Sequence, residues 1–320
     1  MLFFVTVTVV DSKQRLRTSL LCLIGGLALA SLYTLREWQK GGFGTDRPGY
    51  VAGDANFFAA AALLTMPLAY LLLKEKRPMW EKIFCGTCLL ATVLASLTAA
   101  SRGAFIGLAF TYLYLLIRSR RKLALLFCAL ILVPVVLFAP TSPLRRILHP
   151  DYGDISSTAT HQALWRAGLG FIAQHPLSGI GLGQFKSETE RQQILQDASA
   201  VGHNTYIEIG AELGVPTLLL FIAMLISLFF LLERTRRDAL IRGDLFLQDV
   251  TFGLQAGLVG FAPAAFFFSA EYEKPFWIVV FLSACARRML DVQTAAETDT
   301  PLSEQQSELR GEFDPQRVTN

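Results

Sequence analysis

Residues 201–232 read VGHNTYIEIGAELGVPTLLLFIAMLISLFFLL. The first eight, Val201 to Glu208, are polar and close a long polar segment. From Leu213 to Leu232 the chain is apolar for about 20 residues, the length that crosses a bilayer as one helix. A spanning helix therefore follows directly on a polar segment that carries a histidine, His203. That junction decides the fold, because the rest of the chain repeats the same alternation of apolar run and polar loop.

Seven further apolar runs lie near residues 18–35, 57–73, 83–100, 103–117, 123–140, 251–269 and 275–286, the last being the shortest. The bulk composition agrees. Of 320 residues 52% are hydrophobic and 17% charged, with a mean hydropathy of +0.43. A soluble domain carries about 25% charged residues, so these values exclude an ordinary soluble globule. The net charge of +3 is small, and nothing points to nucleic acid. Met1 to Val10 is apolar but too short to span and has no basic stretch before it, unlike a signal peptide. It reads as the tail of a spanning helix.

Lys and Arg in the short loops set the orientation. Lys13, Arg15 and Arg17 form one basic cluster. Lys74, Lys76, Arg77 and Lys82 form the next, followed by Arg118, Arg120, Arg121 and Lys122. Arg234, Arg236, Arg237, Arg242, Arg287 and Arg288 complete the set. Every second loop is basic, which makes these loops cytoplasmic. The first outer loop, with Arg36, Lys40 and Arg47, departs from the pattern. The expected fold is all-α, a polytopic transmembrane bundle of about eight spans plus a partial N-terminal one. It divides into transmembrane helices over 1–140, a large helical periplasmic loop over 141–212, C-terminal transmembrane helices over 213–290, and a polar tail over 291–320 expected to be disordered. In a bacterium this places the chain in the inner membrane with the large loop in the periplasm.

The five cysteines all fall inside apolar runs, so a disulfide framework is not expected. Cys85-Gly86-Thr87-Cys88 has redox-motif spacing but lies in a spanning run, where packing is the simpler reading. Pro67, Pro134 and Pro263 fall within spans, where neighbouring helices re-satisfy the backbone.

The residues able to do chemistry collect on the outward side. Ser101-Arg102-Gly103 joins two runs with almost no loop between them, and Ser101 is a candidate N-cap for the following helix. Arg102 beside that helix end suits a phosphate, and a snorkelling interfacial arginine is the alternative. Arg145 and Arg146 could meet donor phosphates or lipid head groups. Ser156 to Gln174 reads as an amphipathic helix with Leu164, Trp165, Leu169, Phe171 and Ile172 on one side, and Gln162, Arg166 and Gly170 on the other. His175-Pro176-Leu177-Ser178-Gly179-Ile180-Gly181-Leu182-Gly183 then gives a loop suited to close backbone approach. Lys186 to Ser199 is strongly polar and expected to form a solvated helix.

His203 stands just ahead of a helix start. Thr205 followed by Glu208 has capping-box spacing, with Thr205 as the expected N-cap. The helix end disfavours imidazolium and keeps the ring neutral, as a general base requires. A structural histidine in a loop is the alternative. His149, His161 and His175 are weaker candidates, and four scattered histidines lack metal-ligand spacing, so no metal is expected. Asp54 and Asn56 could cap the second span or meet sugar hydroxyls.

Gly53-Asp54-Ala55-Asn56-Phe57-Phe58-Ala59, Ser101-Arg102-Gly103-Ala104, Trp165-Arg166 with His175-Pro176-Leu177-Ser178-Gly179-Ile180-Gly181, and His203-Asn204-Thr205-Tyr206 with Glu212-Leu213-Gly214-Val215-Pro216 occur in this order. Together, over roughly residues 45–235, they resemble the O-antigen ligase and polymerase family of membrane glycosyltransferases. The resemblance implies transfer, without metal or other cofactor, of a glycan from undecaprenyl diphosphate to an acceptor hydroxyl at the periplasmic face. The acceptor is lipid A–core in ligases and a second lipid-linked unit in polymerases. It implies Arg102 and Arg166 on the donor diphosphate, His203 as base, and Asn204 as a further possible substrate contact. Family members usually have more N-terminal spans. A lipid-linked-sugar transporter is the non-enzymatic alternative, but it predicts ionisable residues near the bilayer midplane, and the span interiors show no such relay.

Overall fold

The computed structural model describes residues 1–41, 55–73, 77–99, 101–118, 122, 152–194 and 201–299. Ten helices and no strands occur among the described residues. They are α1 (Leu2–Val9), α2 (Lys13–Gly41), α3 (Ala55–Leu71), α4 (Met79–Ala99), α5 (Arg102–Arg118), α6 (Tyr152–Gln174), α7 (Phe185–Arg191), α8 (Thr205–Ile241), α9 (Leu245–Ala264) and α10 (Lys274–Asp299). Helices α2, α4, α8 and α9 are long and apolar enough to cross a membrane, and α3 and α5 are shorter apolar helices. The expected span at 123–140, with Pro134, lies outside the described residues.

Helix α9 is the centre. It packs on α3, α5 and α8, and small residues let it do so. Gly253, Gly257 and Gly260 recur at helical spacing on one face. A Cβ on Gly257 would lie 2.9 Å from the Leu64 carbonyl oxygen of α3, and one on Gly107 of α5 would lie 2.6 Å from that of Gly260. Between membrane helices such close backbone approach replaces a hydrophobic driving force, because lipid is as apolar as the side chains. Phe261, Phe268 and Phe276 are fully buried at one end of this packing, with the Phe261 and Phe276 rings stacked at 4.7 Å. Leu219, Leu220, Phe230, Phe110 and Ile117 point outward.

Three boundaries differ from the sequence expectation. Helix α9 stops at Ala264, so residues 265–269 form a turn and not the end of a span. Helix α10 continues through Asp299, past the Asp291 boundary at which disorder was expected. The polar stretch after Lys186 gives only the short α7 in the described region, and it is anchored: Phe185 and Thr189 are buried. Leu169, assigned to the apolar side of α6, is 56% exposed, while Leu164, Gly168 and Phe171 are buried. Arg166 and Gln162 lie on the exposed side as expected.

Helix α8 is broken within its length. Gly214 has φ 83° and ψ 169°, and Pro216 follows. Proline removes an N–H from the ladder. The freed carbonyls of Ala211 and Glu212 accept from the N–H groups of Ile180 and Gly181, both at 2.9 Å, and Val215 N–H donates to Pro176 at 2.8 Å. The glycine-rich loop therefore makes its close backbone approach to α8. Gly179, Gly181 and Gly183 all have positive φ.

Candidate functional site

His203 lies at a junction of four segments: the start of α5, the face of α6, the loop entering α8, and the turn 265–273 between α9 and α10. That turn holds the others. Thr205 N–H donates to Ala265 and Phe268 carbonyls at 2.9 and 3.0 Å. Thr205 Oγ1 donates to Phe268 O at 2.8 Å and accepts from Ala270 N–H at 3.0 Å. On the α5 side, a Cβ on Gly103 would lie 2.6 Å from Phe267 Cβ. On the α6 side, the Trp165 ring lies 6.3 Å from that of Phe267.

These contacts correct the expected cap. The N-cap of α8 is Asn204, whose Oδ1 accepts from Tyr206 and Ile207 N–H groups at 3.0 and 3.1 Å. Thr205 is recruited by the turn instead. Glu208 does not reach back to the cap backbone, as a capping box requires. The first N–H groups of α8 are thus all satisfied within the protein, so an anion would feel only the field of this helix end, not its donors. Ser101 does cap α5: its Oγ accepts from Ala104 N–H at 3.4 Å.

His203 itself has φ 48°, a left-handed conformation uncommon outside glycine and a form of strain that clusters at functional sites. Its imidazole stacks on that of His161, with ring centroids 4.7 Å apart and planes 3° from parallel. His161 stands one turn before Trp165, and their rings are 6.4 Å apart. Four rings, those of Phe267, Trp165, His161 and His203, therefore run in a row. Trp165 Nε1 is buried and meets no acceptor among the described residues.

Three carboxylates back this junction. Glu208 Oε2 accepts from Gly202 N–H at 2.8 Å and from Ser269 Oγ. Glu212 accepts from Gly183 and Phe185 N–H groups at 2.8 and 3.0 Å, and from the Tyr272 hydroxyl at 2.5 Å. Both oxygens of Glu271 are buried and meet no hydrogen-bond donor among the described residues. Burial first, and then the charge of Glu208, pushes the Glu271 carboxyl up to about 9. Burial raises the Glu208 carboxyl as well, so this pair holds protons more readily than solvated carboxyls do. Burial and its bond to Glu212 also raise the Tyr272 hydroxyl.

Of the expected site residues, the structure brings His203 and the start of α5, which Arg102 opens, to the same turn. Arg166 follows Trp165 on α6, is exposed, and makes no ion pair among the described residues. Asn204 is 2% exposed and its side-chain oxygen is committed to the cap. Asn56 lies in the first turn of α3. Asp54, Arg145, Arg146 and His149 lie outside the described residues, and His175 is exposed just past the C-terminal end of α6. Sequence reasoning gave Glu208 and Glu212 no role in the site. Their signal was two acids four residues apart at the head of an apolar helix.

Apolar spanning helices around a helical polar segment define a multi-pass membrane protein with a site at one end of its bundle. Residues 87–222 match the O-antigen ligase family model. The matched stretch begins in α4, ends in α8, and contains Arg102, Arg166, His161, His203, Glu208 and Glu212. No curated protein matches the chain.

Proposed function

We propose that the protein is an O-antigen ligase-like glycosyltransferase of the bacterial inner membrane. It moves a glycan from undecaprenyl diphosphate to a hydroxyl of lipid A–core or a similar acceptor at the periplasmic face. The observation that carries this reading is the placement of His203, strained, stacked on His161 and two residues before the start of α8, inside the family-matched segment. His203 takes the proton of the acceptor hydroxyl as the oxygen attacks the anomeric carbon. The bond from that carbon to the phosphate oxygen breaks, and undecaprenyl diphosphate leaves with the electron pair. Attack opposite the leaving group inverts the anomeric centre. Arg102 and Arg166 hold the diphosphate and stabilise its growing charge, so no metal is needed for departure. A polymerase would use the same donor chemistry with a second lipid-linked unit as acceptor.

The test is glycan transfer in membranes supplied with lipid-linked donor and, separately, lipid A–core and lipid-linked glycan acceptors. His203→Ala at matched protein level should lose transfer by a factor of at least ~100 while donor still binds. Full transfer by that variant would remove His203 from the mechanism. Transfer to the lipid-linked acceptor alone would make the protein a polymerase.

A further inference from the structure

Glu208 sits on the first turn of α8, is 2% exposed, and no part of the chemistry above requires it. Its single oxygen Oε2 gathers two donors from different segments, Gly202 N–H in the loop and Ser269 Oγ–H in the turn. Gly202 is the residue immediately before His203, so the peptide that carries His203 is tied at its N-terminal side by Glu208 and at its C-terminal side by the Asn204 cap. Between these two fixed points lies the left-handed His203 backbone. Space is tight as well: a Cβ on Gly202 would lie 3.1 Å from Glu208 Oε2 and 3.2 Å from Phe185 Cζ.

The loop does not need Glu208 in order to reach the turn. Thr205 already joins α8 to residues 265–270 through four hydrogen bonds. What Glu208 adds is the one bond that reaches past the helix start to the peptide before His203. We propose that Glu208 is a positioning residue for His203, setting the imidazole against the acceptor hydroxyl through the Gly202 peptide. The proposal rests on His203 being the base.

Transfer of glycan from lipid-linked donor is compared for wild type, Glu208→Ala, Glu208→Gln and His203→Ala in membranes, with kcat and the KM for donor measured separately and thermal unfolding followed in parallel. A base displaced by a fraction of an ångström loses rate, not substrate affinity. Glu208→Ala should therefore lower kcat by roughly 10- to 100-fold and change the donor KM less than about threefold. Glu208→Gln keeps an acceptor oxygen at the same position and should recover most of that rate. Wild-type kcat in Glu208→Ala beside an inactive His203→Ala overturns the positioning role and leaves the base assignment standing. Loss of kcat in both Glu208 variants in step with a lowered unfolding temperature also overturns it, since that is the signature of a fold brace alone. An active His203→Ala removes both proposals together.

Discussion

Where α8 ends, Glu233 meets three guanidinium groups: Arg118 at 2.7 Å, Arg236 at 2.9 Å and Arg237 at 2.8 Å. Nearby, Glu81 pairs with Arg17, Asp238 with Arg287 at 2.5 Å, and Asp244 with Lys13 at 2.5 Å. Where α8 begins, Glu208, Glu212 and Glu271 pair with no cation among the described residues. The partners of Glu208 and Glu212 are backbone N–H groups and hydroxyls. At the first end six basic residues, on what the sequence marks as one side of the membrane, are matched by acids, and the Arg17–Glu81, Arg118–Glu233 and Arg287–Asp238 pairs fasten helix to helix. At the second end the acids fasten loops to helix without using up an arginine. Arg166, on that side, meets no acid among the described residues, the condition in which a guanidinium can meet an anionic ligand.

The comparison breaks most visibly at Glu233. Glu233→Ala leaves three arginines facing one another in a half-buried site, and should lower stability by about 3 kcal/mol, read as a fall in unfolding temperature in detergent, with transfer per folded molecule unchanged. A variant that unfolds no more easily than wild type would show the pairs to be ornaments of the surface. A smaller effect is expected at the other end from Glu271→Gln. The raised carboxyl binds its proton in the folded protein through a pH range where the unfolded chain has released it. Its stabilising balance is therefore complete below the ordinary carboxylate range and is lost as pH rises from there towards about 9. The wild type should lose about 2 kcal/mol over that window relative to Glu271→Gln, and parallel pH–stability curves for the two would refute the uncharged acid. The smallest effect is at the cap: Asn204→Ala should lower stability by about 1 kcal/mol, whereas Thr205→Ala, if Thr205 were the cap, would be the one to do so through helix fraying.

Much of this was legible in the chain. The apolar runs located seven of the helices, and the capping pattern put His203 ahead of a helix start. The error of one residue at the cap has a physical source. Asn and Thr are both good N-caps, and the choice between them was made by the turn 265–270, which takes the Thr205 hydroxyl and lies some 60 residues away in sequence. Glu208 was read by the same local rule, and the same turn claimed it through Ser269. The His161–His203 stack was not legible, since it joins α6 to a loop about 40 residues later and leaves no periodicity. Leu169 was misplaced because a helical wheel counts residues but does not know where α8 crosses α6. Local rules found the elements; contacts distant in sequence assigned the side chains.

The break in α8 at Gly214 has a mechanical consequence. A straight helix would leave residues 175–183 as a free strap on the surface. The break instead opens two carbonyls and one N–H, and the strap plugs all three, with Glu212 clasping its far end at Gly183 and Phe185. The spanning part of α8 and the segment beyond it are thus spliced like two timbers with a key between them. Any tilt of α8 carries the strap and α7 along as one body. A ligand entering at this end would meet a fixed jaw.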